Sequence, residues 1–173
     1  MHTASRRVAV CGVFAALSVV LMMISAPFGV FIYACPLVLG GIILIIRQAY
    51  GPRYGLTTFG AVSFLALMLV ADLEMTAMYI GFFGWYPVVK GWLDRLGKPL
   101  GWLMKWGCFN GAVTVVYAVL TVALGWAQLG LSGIVPALLL LTVGNVLFIL
   151  YDLMLKRLMG PMPRKLYRLF FSE

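Results

Sequence analysis

Between Tyr50 and Lys90 two apolar runs follow one another, with bases at the far ends and two acids at the join. Gly51-Pro52-Arg53-Tyr54-Gly55 is a basic, turn-prone entry, and Leu56 to Ala71 is the first run. Asp72-Leu73-Glu74 forms the join, and Met75 to Val89 returns through Trp85-Tyr86-Pro87 to Lys90. Crossing about 30 Å of hydrocarbon takes roughly 20 mostly apolar residues at 1.5 Å rise each. Each run lies near the short end of that range. The hairpin therefore predicts two membrane-crossing helices with a basic and an acidic end, and it orients the rest of the chain.

The remaining sequence has the same character. Of 173 residues, 64% are hydrophobic and only 10% charged, and the mean hydropathy is +1.05. A soluble domain carries about 25% charged residues, so the composition predicts an integral membrane protein. A barrel of strands would alternate every second residue, whereas these runs are continuously apolar. The expected fold is all-α: one compact bundle of six transmembrane helices over residues 1–158, with a basic cytoplasmic tail at 159–173.

The first run, Val8 to about Ala26, follows Ser5-Arg6-Arg7. It is longer than the core of an export signal, and more spans follow, so it reads as a first helix. Ala26-Pro27-Phe28-Gly29 makes a turn, and a second span runs from Val30 to Ile46 across Pro36. After the hairpin, Asp94-Arg95-Leu96-Gly97-Lys98-Pro99 is a polar break. A fifth span covers about Leu100 to Gly125, with Lys105 placing its first turn at the interface, and a sixth runs from Ile134 to Leu155. In the tail, Arg164 to Phe171 has the pattern of a short amphipathic turn. Leu166, Leu169 and Phe170 share one face, suited to anchoring on anionic lipid or docking a cytoplasmic partner.

Six spans put both termini on one side, together with the loops after spans two and four. All 13 Lys and Arg fall on that side. The positive-inside rule then makes it cytoplasmic, in a multi-pass plasma-membrane protein of bacterial type. The net charge of +8 is thereby explained without nucleic acid as a partner.

Chemistry is sparse. His2 is the only histidine, so a histidine-dependent triad or an intramembrane zinc site has nothing to be built from. Cys11, Cys35 and Cys108 lie in separate apolar runs without metal-site spacing and read as packing residues. No Walker motif or catalytic pair emerges, so no catalytic residue, metal or cofactor is expected and the chain is read as a non-enzyme.

Candidate binding residues are few. Asp72 and Glu74 are the acids near the outer face, able to solvate a loop or to attract an amine-bearing solute. Asn110 and Asn145 fall near mid-membrane, where an unpaired amide is costly. They bond to each other or to backbone, or they supply polar anchors in an apolar cavity. Tyr33 and Tyr79, near the outer ends of spans two and four, are placed to line its mouth or to join an interfacial belt. Asp94 and Asp152, at inner ends, are expected to pair locally with Arg95 and Lys156. Gly12 and Ala16, with Cys11 and Ala15 beside them, let another helix approach closely, as does Gly107-xxx-Gly111. Gly12, Ala15 and Ala16 are the candidate partner interface.

With Arg6-Arg7 leading into Gly12-Val13-Phe14-Ala15-Ala16-Leu17, and Gly51-Pro52-Arg53-Tyr54-Gly55 after span two, the chain resembles the substrate-binding S components of energy-coupling factor transporters. The likeness covers the overall layout and, by motif, about the first third of the chain. It implies capture of a vitamin or related micronutrient, with a transmembrane coupling protein and two cytoplasmic ATPases driving inward release. The family's docking motif has alanines four apart; here Gly12 stands in place of one. A small non-catalytic scaffold of a cell-envelope complex, of the MreD type, is the alternative from a different class.

The orientation gives a direct expectation. A membrane-impermeant thiol reagent applied to intact cells should leave Arg53→Cys and Lys98→Cys unlabelled, and labelling at either site refutes the assignment of the basic end to the cytoplasm.

Overall fold

In a bilayer no water meets a free N–H or C=O, so continuous apolar runs form helices that satisfy their own backbone. A computed structural model of the chain, which describes residues 2–29, 31–123 and 134–159, is helical throughout these runs, and no strand occurs among the described residues. The elements are α1 (His2–Ser25), α2 (Phe31–Tyr50), α3 (Pro52–Leu69), α4 (Leu73–Met78), α5 (Tyr86–Leu93), α6 (Lys98–Ala123) and α7 (Ile134–Leu158). A π-helical turn, Tyr79–Phe83, joins α4 to α5. Three helices among the described residues are long and apolar enough to cross a membrane, over Ala4–Ser25, Phe31–Tyr50 and Pro99–Val122. The stretch 126–133 between the fifth and sixth predicted spans and the amphipathic turn at 164–171 lie outside the described residues.

Local chemistry sets the boundaries. Pro27 cannot continue α1, and the turn that follows is closed by Phe28 N–H donating to the Ser25 carbonyl at 3.0 Å. Between α2 and α3, Gly51 has φ +99° and ψ 171°, a conformation open essentially to glycine alone. Pro52 then opens α3, where its missing N–H costs nothing. Helix α3 thus begins four residues before the predicted Leu56, because the Gly-Pro turn is tighter than a loop. At the other end of the hairpin, Asp72 caps α4 by accepting the Met75 N–H at 2.8 Å.

The return arm, expected as one span, is interrupted. Pro87 has no N–H to offer the Phe83 carbonyl four residues back. The hydroxyl of Tyr151 donates to that carbonyl instead, at 3.2 Å. The Trp85 indole N–H caps the Gly81 carbonyl at 2.8 Å, and Gly84 N–H reaches back five residues to Tyr79 at 2.8 Å. Side chains thus replace the backbone donors that the break removes.

Helix α2 is the hub: it packs on α1, α3, α4, the π turn, α5 and α7. One core gathers Val19 and Met22 of α1, Leu39 of α2, Val62 and Ala66 of α3 and Met75 of α4. A second, richer in aromatic rings, gathers Leu44 of α2, Phe82, Tyr86, Phe109 of α6 and Phe148 and Tyr151 of α7. Outside these cores large apolar side chains face outward from every long helix, among them Leu17, Phe64, Leu103 and Ile149. Such a surface suits lipid and would be an aggregation hazard in water.

The closest approach on α2 is at Gly40. A Cβ there would lie 2.0 Å from the Tyr151 hydroxyl and 2.6 Å from the Phe83 carbonyl oxygen. Gly40→Ala should therefore destabilise the detergent-solubilised protein by roughly 1–3 kcal/mol, the usual cost of overpacking. Gly12→Ala, where nothing lies within 4 Å, should not destabilise it. Equal melting temperatures for the two variants would refute the close packing of α2 against the π turn.

Candidate functional site

Where α2, α4, the π turn, α6 and α7 converge, helix packing leaves a cavity of about 310 Å³. Its lining is apolar and aromatic: Leu37, Met78, Phe82, Phe83, Phe109, Val113, Val116, Leu120, Val143, Gly144, Leu147 and Phe148, with Tyr33 and Tyr117 supplying hydroxyls. It lies toward the end of the bundle that carries Asp72 and Glu74. The Phe109 and Phe148 rings stack at 4.8 Å, and Phe82 meets them edge-on at 5.1 and 5.8 Å. Phe82 also stacks on Tyr86 at 4.6 Å, so the three phenylalanines form a floor with Tyr86 beneath it. At the rim the Tyr33 hydroxyl donates to Glu74 Oε1 at 2.7 Å.

Below that floor lies a network of charges within the bundle. Lys90 of α5 is fully buried and Asp152 of α7 nearly so. Asp152 Oδ1 accepts from Lys90 Nζ and from the Tyr86 hydroxyl, the latter at 2.7 Å, and Lys105 of α6 stands 3.7 Å away. Asp152 Oδ2 pairs with Lys156 at 3.2 Å. Asp94, at the end of α5, pairs with Lys105 and lies 3.6 Å from Lys90. Three ammonium groups and two carboxylates thus tie α5, α6 and α7 together.

These placements refine the expectations site by site. Tyr33 lines the cavity, and Glu74 touches it through Tyr33. Asp72 is occupied as a helix cap. Tyr79 is wholly buried in the core beside Phe59, off the cavity wall, and its hydroxyl has no hydrogen-bond partner. Asn110 and Asn145 pair reciprocally at 3.3 and 3.1 Å. Each also donates to its own helix, to the carbonyls of Trp106 at 2.9 Å and Leu141 at 2.7 Å. The two amides bond to each other, and neither is among the residues that line this cavity.

On α1 the small residues divide. Cys11 and Ala15 turn inward and are buried, while Gly12 and Ala16 are exposed. Ala15 therefore cannot share an outer face with the other two, since neighbouring positions on a helix are turned by about 100°. Lys105, expected at the interface, is buried in the network. Asp94 pairs with Lys105 and Lys90 rather than with Arg95, whereas the local Asp152–Lys156 pair is present.

The sequence reading missed the cavity floor and the Lys90–Tyr86–Asp152 centre. A signal for the second existed: a lysine and an aspartate, each flanked by apolar residues, must find partners of opposite charge. The floor phenylalanines carried no such mark, being ordinary core residues by type. No group of three or more His, Cys, Asp or Glu converges on a metal position among the described residues, and the three cysteines are free.

No family model, no curated protein and no solved structure matches the chain. The class that the fold and site define is an all-helical protein of membrane-helix character, with an apolar cavity above a buried charge network.

The charge count ranks two substitutions. Lys90→Met leaves two lysines facing two aspartates, whereas Asp152→Asn leaves three lysines facing one. Breaking a buried pair costs about 3–5 kcal/mol, and Asp152→Asn should fall at or above that range with Lys90→Met below it. Thermal unfolding in detergent measures both, and a larger loss for Lys90→Met would contradict the network as drawn.

Proposed function

We propose that the chain is the solute-capturing subunit of a bacterial uptake system. It crosses the plasma membrane six times, with both termini in the cytoplasm. The cavity carries this reading. A volume of about 310 Å³ falls at the small end of the roughly 300–1,000 Å³ typical of ligand pockets, and an apolar lining with a few polar groups is their usual composition. The solute is small and mainly apolar, with one hydrogen-bond donor or amine that engages Glu74 or Tyr33 at the rim. A micronutrient with a fused-ring or hydrocarbon body fits that description better than a strongly polar one.

The six crossings are supported by helix lengths and by charge. Helix α3 has 18 residues, which at 1.5 Å each span about 27 Å, and α7 has 25. Helix α4, the π turn and α5 together make the remaining crossing. With these counted, Asp72 and Glu74 fall at one end and the lysine-rich network at the other, as the positive-inside rule requires for cytoplasmic termini.

Nothing in the chain supplies energy, so a separate membrane coupling protein and cytoplasmic ATPases drive release, as the likeness to S components implies. Gly12 and Ala16, exposed on α1, are the positions where a helix of that coupling protein comes close.

Mass spectrometry of metabolites extracted from the purified protein should find one small organic molecule. Its yield, compared at a temperature where both proteins are folded, should fall at least about tenfold in Gly144→Phe, which fills the cavity and, with a Cβ 3.2 Å from the Phe109 ring, costs roughly 1–3 kcal/mol of stability. Tyr33→Phe should lower the yield less. An equal lipid-only extract from wild type and Gly144→Phe would refute solute capture, and copurified envelope-synthesis enzymes in that case would favour the scaffold.

A further inference from the structure

A second opening, of about 210 Å³, lies at the basic end between α5, α6 and α7. Its walls are Leu93, Asp94, Leu96, Gly101, Trp102, Lys105 and Lys156. We infer that this opening binds one phosphate-bearing anion, held by Lys156 and Lys105 and shielded by Trp102. The inference is independent of the solute proposed for the apolar cavity.

The network holds three lysines and two aspartates in contact, which leaves one positive charge, carried where Lys156 is 41% exposed beside the opening. One further monoanion neutralises it, and a phosphodiester carries one charge. Lys90 is sealed between Asp152 and Asp94, with no exposure. Lys156 has one carboxylate oxygen at 3.2 Å and is the most open of the three ammonium groups. It lines the opening, where its ammonium sits 5.5 Å from the centre of the Trp102 ring.

Lys105 lines the same space although its side chain is only 4% exposed. Its pairing with Asp94 fixes the ammonium in place, so an incoming anion meets a positioned donor rather than a mobile surface lysine. Asp94 also lines the opening and repels an anion, and it keeps the site from holding more than one charge. Gly101, Trp102 and Lys105 belong to the first turns of α6, whose positive dipole end adds to the attraction. Trp92, Trp102 and Trp106 are exposed around this end, at the level where an interfacial aromatic belt meets lipid headgroups.

The phosphate can belong to a phospholipid headgroup or be a free ion, and one set of titrations separates them. Thermal unfolding of the full chain in a neutral detergent is followed against phosphatidylglycerol, diacylglycerol with the same acyl chains, and inorganic phosphate. Phosphatidylglycerol should raise the melting temperature and diacylglycerol should not. Lys156→Gln should weaken the apparent affinity for phosphatidylglycerol about tenfold, the loss expected for one charge-assisted contact. Lys156→Arg should recover most of it, and Arg157→Gln, which removes an equal charge next door, should leave it unchanged.

A response to phosphatidylglycerol alone assigns the site to a lipid headgroup. A matching, Lys156-dependent response to inorganic phosphate assigns it to a soluble anion. An equal response to diacylglycerol, an unchanged affinity in Lys156→Gln, or an equal loss in Arg157→Gln overturns the proposal.

Discussion

An ion without a partner in an apolar interior costs several kcal/mol even after relaxation, and the pairing of Asp152 with Lys90 answers that cost here. The two residues lie on α7 and α5, and Lys105 joins them from α6. None of these helices can separate from the others without leaving a buried charge unpaired. At the acid end the cross-helix polar contact is of another kind, a half-exposed hydrogen bond from Tyr33 to Glu74. The bundle is therefore tied firmly at its basic end and more loosely at its acid end, and a solute-sized cavity is found toward the looser one.

The break in the return arm explains how the cavity and the network fit within one helix. An unbroken helix from Leu73 to Leu93 would keep a single rotational phase. The π turn inserts one extra residue in a turn, and Pro87 removes a backbone bond. Phe82 consequently reaches the cavity floor while Tyr86 reaches Asp152, and the two rings remain stacked. Gly81 and Gly40 allow the neighbouring helices to come this close: a Cβ at Gly81 would meet Val116 at 2.2 Å. Tyr151 then closes the arrangement by taking up the carbonyl that Pro87 leaves open.

Much of this was legible in the sequence, and what escaped had physical causes. The helical runs, their breaks and the gathering of bases at one end follow from apolar length and from Gly and Pro at fixed places, which act locally. Gly51-Pro52 could be read as a turn because no other pair provides the conformation so cheaply. That Lys90 needs a partner is legible, but not that the partner is Asp152. Asp152 lies far along the chain, and only the packing of α5 on α6 and α7 brings them together. Asp94 shows the error that local reasoning makes: Arg95 is adjacent, but neighbouring residues on a helix point apart, and Lys105 reaches across instead. The need of Asn110 and Asn145 for partners is legible in their apolar surroundings, but that each is the other's partner, beside the ligand-anchoring role also open to them, appears only once α6 and α7 are packed. The cavity floor was invisible because Phe82, Phe109 and Phe148 differ from other core phenylalanines only in facing a gap.

The same geometry limits how a solute in the cavity could leave. Directly beneath it lie the rings of Phe82, Phe109 and Phe148, then Tyr86, then the paired charges. A route through the centre would have to part those stacked rings and bring a solute, with water behind it, onto buried ion pairs. Both steps break contacts that hold three helices together. Any route to the cavity that leaves those contacts intact therefore runs from the other end of the bundle, where Tyr33 meets Glu74.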